Sequence, residues 1–159
     1  MPANELIITT FEALEKLKKY CAYCERSQYE VRLKLSTWKI DEISSESILS
    51  TLIEENFINE ERFAKALTQG KLRINHWGKI KIKQALRHHH ISEPCIKIAF
   101  SNIDYDEYIQ ILIKEGMKKL NQLKGAEAIN KHKTIQFLIG KGFESDLIWE
   151  HIDQMIKNK

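Results

Sequence analysis

The sequence predicts an all-α chain of three tandem three-helix, helix-turn-helix-like repeats forming an elongated array. Three observations carry that prediction. Two prolines and six glycines in 159 residues are too few for the turns of a β-sandwich or barrel, whereas 43% hydrophobic and 30% charged residues suit amphipathic helices. Helix-start signals recur along the whole chain at near-regular spacing. An apolar pair also repeats in register: Leu35 and Ile40 return as Leu86 and Ile91, and again as Leu138 and Phe143, at offsets of 51, 51, 52 and 52.

Local chemistry accounts for each element in turn. Thr9-x-x-Glu12 is a capping box that opens a first helix with Phe11, Leu14, Leu17 and Cys21 on one stripe. Ser27-x-x-Glu30 opens a second, with Val31, Leu35 and Trp38. Ser44 or Ser45 caps a third, whose Ile48, Leu49, Leu52 and Ile53 face inward, and Asn59 followed by Glu60 and Glu61 suits the start of a fourth carrying Phe63, Leu67 and Ile74. Gly78 precedes a fifth with Ile82, Ala85 and Leu86. The alternation Lys79-Ile80-Lys81-Ile82-Lys83 has a strand's period, but its continuation through Gln84, Ala85 and Leu86 fits 3.6 and no hairpin partner lies nearby. Ser92 and Pro94 start a sixth helix with Ile96, Ala99, Phe100 and Ile103. Asp104-x-x-Glu107 opens a seventh, the clearest amphipath, with Tyr105, Tyr108, Ile109, Leu112, Ile113, Met117 and Leu120 at 3–4 spacing. An eighth spans about 126–140 and ends at Gly140 and Gly142; a ninth, capped by Ser145, carries Ile148, Ile152, Met155 and Ile156. The units run 5–58, 59–103 and 104–159. Each is small for independent stability, so neighbours are expected to share helix contacts.

The formal charge of +3 conceals a segregation. Residues 40–61 hold seven acids and no base, and residues 62–92 hold eight bases and no acid. Four of the six histidines, His76 and His88-His89-His90, fall in the basic stretch. Either a polyanion is the partner of this block, or its bases pair with the neighbouring acidic block along a solvated face. On a helix Lys79, Lys83 and Arg87 stand at i, i+4 and i+8, opposite Ile82, Ala85 and Leu86. Lys71 and Arg73, with Asn75, His76 and Trp77 in the connection, widen the row and add donors and a stacking surface. The histidine triplet is expected to extend this basic surface, more strongly near pH 6. Such a row contacts a phosphate backbone without reading bases, and an acidic groove on a protein would suit it equally.

No catalytic constellation is present: there is no phosphate-binding loop, His-Glu-x-x-His, Gly-x-Ser-x-Gly or Gly-x-Gly-x-x-Gly. The expectation is a protein without catalytic residues and not an enzyme. Cys21-x-x-Cys24 has metal-ligand spacing, but no second pair exists and Cys95 is isolated, so buried thiols and no metal or cofactor are expected. No run of about 18 apolar residues is available to span a bilayer, and Met1-Pro2-Ala3-Asn4-Glu5 lacks the features of a signal peptide. A cytoplasmic chain with reduced cysteines follows as the expectation.

Glu61-Arg62-Phe63-Ala64, then Trp77-Gly78-Lys79-Ile80-Lys81-Ile82-Lys83-Gln84-Ala85-Leu86 and Ile91, resemble the central signature of the RecX family, regulators of the bacterial recombinase RecA. Ala13-Leu14 and the run from Glu25 to Leu35 are similar to that family's first repeat. The resemblance is close over about 15–95 and extends through the repeat to the rest of the chain. Two positions depart: a proline common after the glycine is Lys79 here, and a Lys-Gly turn before Ile91 is His89-His90. The resemblance implies a non-enzymatic modulator that binds RecA filaments along their groove, restrains ATP hydrolysis and strand exchange, and alters filament persistence in recombination, DNA repair and the SOS response. On that reading Lys71, Arg73, Lys79, Lys81, Lys83 and Arg87 make the RecA or DNA contacts, with Arg32 and Lys34 of the first unit as lesser candidates. A monomer without membrane contact, touching single- or double-stranded DNA through the middle repeat, is expected. The alternative is a stand-alone, sequence-nonspecific DNA-binding module of tandem helix-turn-helix character.

Overall fold

The computed structural model describes residues 7–159; the start of the expected first unit and the Met1–Glu5 stretch lie outside the described residues. Among those described are nine α-helices and no strand: α1 (Thr10–Tyr23), α2 (Gln28–Thr37), α3 (Glu42–Glu54), α4 (Glu60–Arg73), α5 (Lys79–His88), α6 (Glu93–Ser101), α7 (Tyr105–Gln122), α8 (Glu127–Gly140) and α9 (Ser145–Lys157). They form three tandem three-helix repeats, and the period-two segment is helical, as expected. Thr9 and Ser27 cap α1 and α2 with complete capping boxes, and Asn59 and Asp104 cap α4 and α7. Two caps differ from expectation. Asp41, not Ser44 or Ser45, caps α3 by accepting from Ser44 N at 2.9 Å, and the N-cap of α9 is Glu144, with Ser145 already helical.

The buried stripe of α1 is Ala13, Leu17 and Cys21, and that of α4 includes Leu72. Phe11, Ile53 and Ile74, expected to face inward, are instead exposed. For Phe11 and Ile74 the reason is angular: each stands two residues from a stripe position, which is about 200° round a helix of 3.6 residues per turn. Ile53 stands one residue past the buried Leu52, about 100° round α3 and beside its end.

The repeated apolar pair has a backbone cause. At the end of each unit's second helix, one residue takes a left-handed conformation: Lys39 at φ 55°, His90 at φ 58° and Gly142 at φ 93°. The next residue then returns its N–H to the helix, Ile40 to Leu35 O (3.1 Å), Ile91 to Leu86 O (3.1 Å) and Phe143 to Leu138 O (3.2 Å). This is the Schellman closure with its accompanying apolar contact, so Leu–Ile, Leu–Ile and Leu–Phe are one motif used three times. Only the third copy uses glycine. Lys39 and His90 accept the left-handed backbone at a cost of about 1–2 kcal/mol each.

The three units share two cores. One cluster, including Leu17, Leu35 and Leu52, belongs wholly to the first unit. The other runs continuously through the second and third units, from Phe63, Leu72 and Leu86 to Tyr108, Leu138 and Ile152. Helix α4 touches α7, linking the second unit to the third, whereas α1, α2 and α3 pack chiefly on one another. Units therefore follow in line, giving an elongated array.

Both joints between units use the same pieces. The turn after the second helix of one unit lands on the start of the second helix of the unit before it. In the joint of units two and three, Gly78 N–H donates to Lys141 O (2.8 Å), Ile80 N–H to Gly142 O (3.0 Å), and Lys79 N–H to the Tyr108 hydroxyl (2.9 Å). Helix α5 has no side-chain cap of its own, so its first N–H groups are satisfied by the third unit. Lys79 supplies a donor here that the proline common at this position would lack. A Cβ on Gly78 would stand 2.3 Å from Gly142 C, so the two backbones approach closely only because both residues are glycine.

Candidate functional site

The basic residues of the middle unit divide by partner. Arg73, at the end of α4, makes a bidentate pair with Glu107 of α7, at 2.7 and 3.1 Å. Its hydrogen bond holds the Glu107 carboxyl below the ordinary range and raises the guanidinium. On the α5 row, Arg87 and Lys83 both reach Glu93 of α6, at 2.9 and 3.4 Å, and the Glu93 carboxyl is lowered, chiefly by the Arg87 bond. Arg32 pairs with Glu46 in the same way within the first unit. Four of the eight predicted site residues thus spend their charge on a carboxylate. Of the bases in the 62–92 stretch, only Lys65 pairs within the preceding acidic block, with Glu61 at 2.7 Å.

The other four lie against aromatic rings. Lys71 Nζ and Lys81 Nζ stand 4.7 and 4.5 Å from the centroid of Trp77, Lys79 Nζ stands 4.8 Å from that of Tyr108, and Lys34 Nζ stands 5.1 Å from that of Tyr20. Among the described residues no ion pair is formed by Lys71, Lys79 or Lys81. They converge because the chain reverses at His76, which is left-handed at φ 55°, while Trp77 N–H closes back on Lys71 O at 3.0 Å. The end of α4 and the start of α5 thereby form a corner around Trp77. Of the expected row along α5, Lys83 and Arg87 are matched by Glu93 and Lys79 is not; beside it stand Lys81, in the first turn of the same helix, and Lys71 across the corner.

His76 does not add to this surface. Its Nδ1 lies 2.7 Å from Oε1 of Glu115, a carboxylate only 4% exposed. Lys141 Nζ approaches the other oxygen at 3.7 Å and donates to Asn75 O at 2.8 Å. This buried network ties the second unit to the third. Nearby, the Tyr108 hydroxyl donates to Glu144 Oε2 at 2.5 Å, and burial pushes its phenol well above the ordinary range.

The histidine triplet also departs from expectation. Its rings gather round Tyr29 of α2, with centroids 5.3, 6.0 and 4.9 Å away for His88, His89 and His90, rather than extending the lysine corner. Cys21 is buried, and burial lifts its thiol to about 11; Cys24 is the extended C-cap of α1 and is exposed. Among the described residues no group of three or more His, Cys, Asp or Glu side chains is placed to hold a metal ion, and no helix is long and apolar enough to cross a membrane.

Geometry and fold define a class: a tandem array of helix-turn-helix-like units with a cationic, aromatic corner on the middle one. Residues 59–99 match the family model described as RecX, second three-helix domain, and residues 106–152 match RecX, third three-helix domain. The chain belongs to the RecX family of regulatory proteins. It is 31% identical to the regulatory protein RecX of Chlorobium phaeobacteroides over 134 residues, covering 84% of this chain and 87% of that one. It is also 31% identical to the regulatory protein RecX of Halalkalibacterium halodurans over 133 residues, 82% of this chain but only half the length of that relative. The crystal structure of RecX from Lactobacillus salivarius superposes with a TM-score of 0.82 at 22% identity, covering 94% of this chain and 97% of that one, which shows a shared fold.

Proposed function

We propose that this chain binds RecA filaments and modulates them, mainly by inhibiting ATP hydrolysis, strand exchange and filament persistence. It acts as a cytoplasmic monomer and catalyses nothing itself. The observation that carries this reading is the corner of the middle unit, where Lys71, Lys79 and Lys81 keep their charge unpaired beside Trp77 and Tyr108. Charges already matched by Glu93, Glu107 or Glu46 have less to offer an incoming anion. Lys71, Lys79 and Lys81 are thus the principal contacts to filament acids or DNA phosphates, Arg73, Lys83 and Arg87 are secondary, and Arg32 and Lys34 are peripheral.

The test is RecA ATPase on single-stranded DNA with this chain at substoichiometric ratio. Inhibition is expected, and K71E/K79E/K81E should weaken it about tenfold or more while K83E/R87E weakens it less. Equal inhibition by all three chains would contradict the assignment. The presence of an indole beside two lysines also favours a second reading, a sequence-nonspecific DNA-binding module. In that case the effect disappears with excess DNA, and affinity for duplex falls by about 0.9 log units per log unit of salt for each phosphate neutralised.

A further inference from the structure

The joint between the first and second units holds a cluster of titratable groups whose histidines take no part in the proposed anion contacts. His89 lies at its centre. Its Nδ1 is 2.9 Å from Oγ of Ser27, the buried N-cap of α2, and its ring is 5.0 Å from that of Phe63 on α4. The facing charges here are Glu30 of α2, whose Oε2 accepts the Ser27 N–H at 2.8 Å, and Arg26 just before the cap, which pairs with Glu30 at 3.7 Å. The α4 side brings Lys71, Glu60, which accepts from Ser92 N at 2.6 Å, and Arg62, paired with Glu25 at 2.5 Å. Imidazoles of His88 and His90 flank the ring. Beside them opens a cleft of about 660 Å³ lined by Tyr29, Arg32, Glu60 and His90, among others.

We propose that this joint is a pH-responsive hinge, which holds the first unit against the second while His89 is neutral and releases it when His89 takes a proton. Three physical terms oppose a charge there: partial burial, the positive end of the α2 dipole, and the neighbouring imidazoles and Lys71. Glu30 is the carboxylate that opposes them, and it is already engaged by the Ser27 N–H and hydroxyl and by Arg26. The His89 ring accordingly sits below the ordinary imidazole range, burial being the largest cause and Glu30 the opposing one. The sign follows from linkage. A group whose pKa is depressed in the docked state stabilises docking fully above its released value of about 6.5. That stabilisation is lost as pH falls below it and levels off under the docked value.

Release does not require unfolding. The first unit owns its core, and α2 owns its cap. The other joint is closed instead by the backbone N–H groups of Gly78 and Ile80, which donate to Lys141 O and Gly142 O.

Spin labels at K19C and K133C, in a C24S/C95S full-length chain, report the separation of the first and third units. A single narrow distance distribution is expected at pH 8 and a broad, longer one at pH 5.5, with far-UV circular dichroism unchanged. H89N, whose amide replaces Nδ1 without titrating, should stay narrow at both. The hinge is refuted if the unmodified chain stays narrow at pH 5.5, or if broadening survives in H89N. It is equally refuted if H88Q or H90N abolishes the broadening while His89 still titrates. Whatever the variants do, the pKa of His89 read by NMR in the full chain must lie below 6.5; a value at or above it overturns the proposal.

Discussion

The two joints are built from equivalent residues and hold by different means. Ser27 and Gly78 are 51 positions apart, both precede the second helix of their units, and both receive the following unit's turn. At Gly78 the contact is backbone on backbone. The third unit caps α5, Tyr108 bridges Lys79 and Glu144, and the hydrophobic core runs through. At Ser27 the contact is side chain on side chain. Helix α2 caps itself, and histidine rings, tyrosine and ion pairs fill the gap. A repeat can therefore share one topology and still divide into two hydrophobic cores, one of a single unit and one spanning two.

Dividing the chain should expose this most strongly. A fragment of residues 59–159 keeps its core and should unfold cooperatively, whereas residues 1–103 lose every group that caps α5 and should lose that helix; circular dichroism and amide exchange on the two fragments distinguish them. Next in size is Gly142→Val. Its left-handed backbone costs a branched residue about 1–2 kcal/mol, and the clash of its Cβ with Lys81, 2.4 Å from Cβ, adds about 1–3 kcal/mol. Urea denaturation should show the second and third units losing that stability together. Tyr108→Phe, which removes the hydroxyl that donates to Glu144 and accepts from Lys79, should cost about 2 kcal/mol at the same joint. Ser27→Ala should cost about 1 kcal/mol in the first unit, because it removes the cap of α2, and it also takes away the partner of His89 across the joint. Smallest is Arg87→Ala, which breaks an exposed ion pair and should leave the unfolding midpoint nearly unchanged.

Helices and the repeat were legible in the sequence because caps and Schellman turns are local. Thr9, Ser27, Asn59 and Asp104 act within three residues, and Leu35 meets Ile40 across one turn. The cap of α3 was not legible: Asp41 is one of seven acids in the 40–61 block, and Ser44 and Ser45 beside it are equally good capping residues. The composition of the site was legible, but its free charge was not. Glu93 is the first acid after the basic run, close enough to Arg87 and Lys83 that a tight turn brings it over both. Glu107 lies 34 positions from Arg73, and only the packing of α7 on α4 brings them together. The histidine triplet read as surface charge because its partner, Tyr29, is about 60 residues upstream.

Native-state hydrogen exchange across a denaturant series tests the one-plus-two division most directly. The slowest amides of α5, near Leu86, and of α8, near Leu138, should open at the same free energy, in one unit. Those of α2, near Leu35, should open at a lower one. Separate openings of α5 and α8, or one common opening for all three helices, would contradict the account.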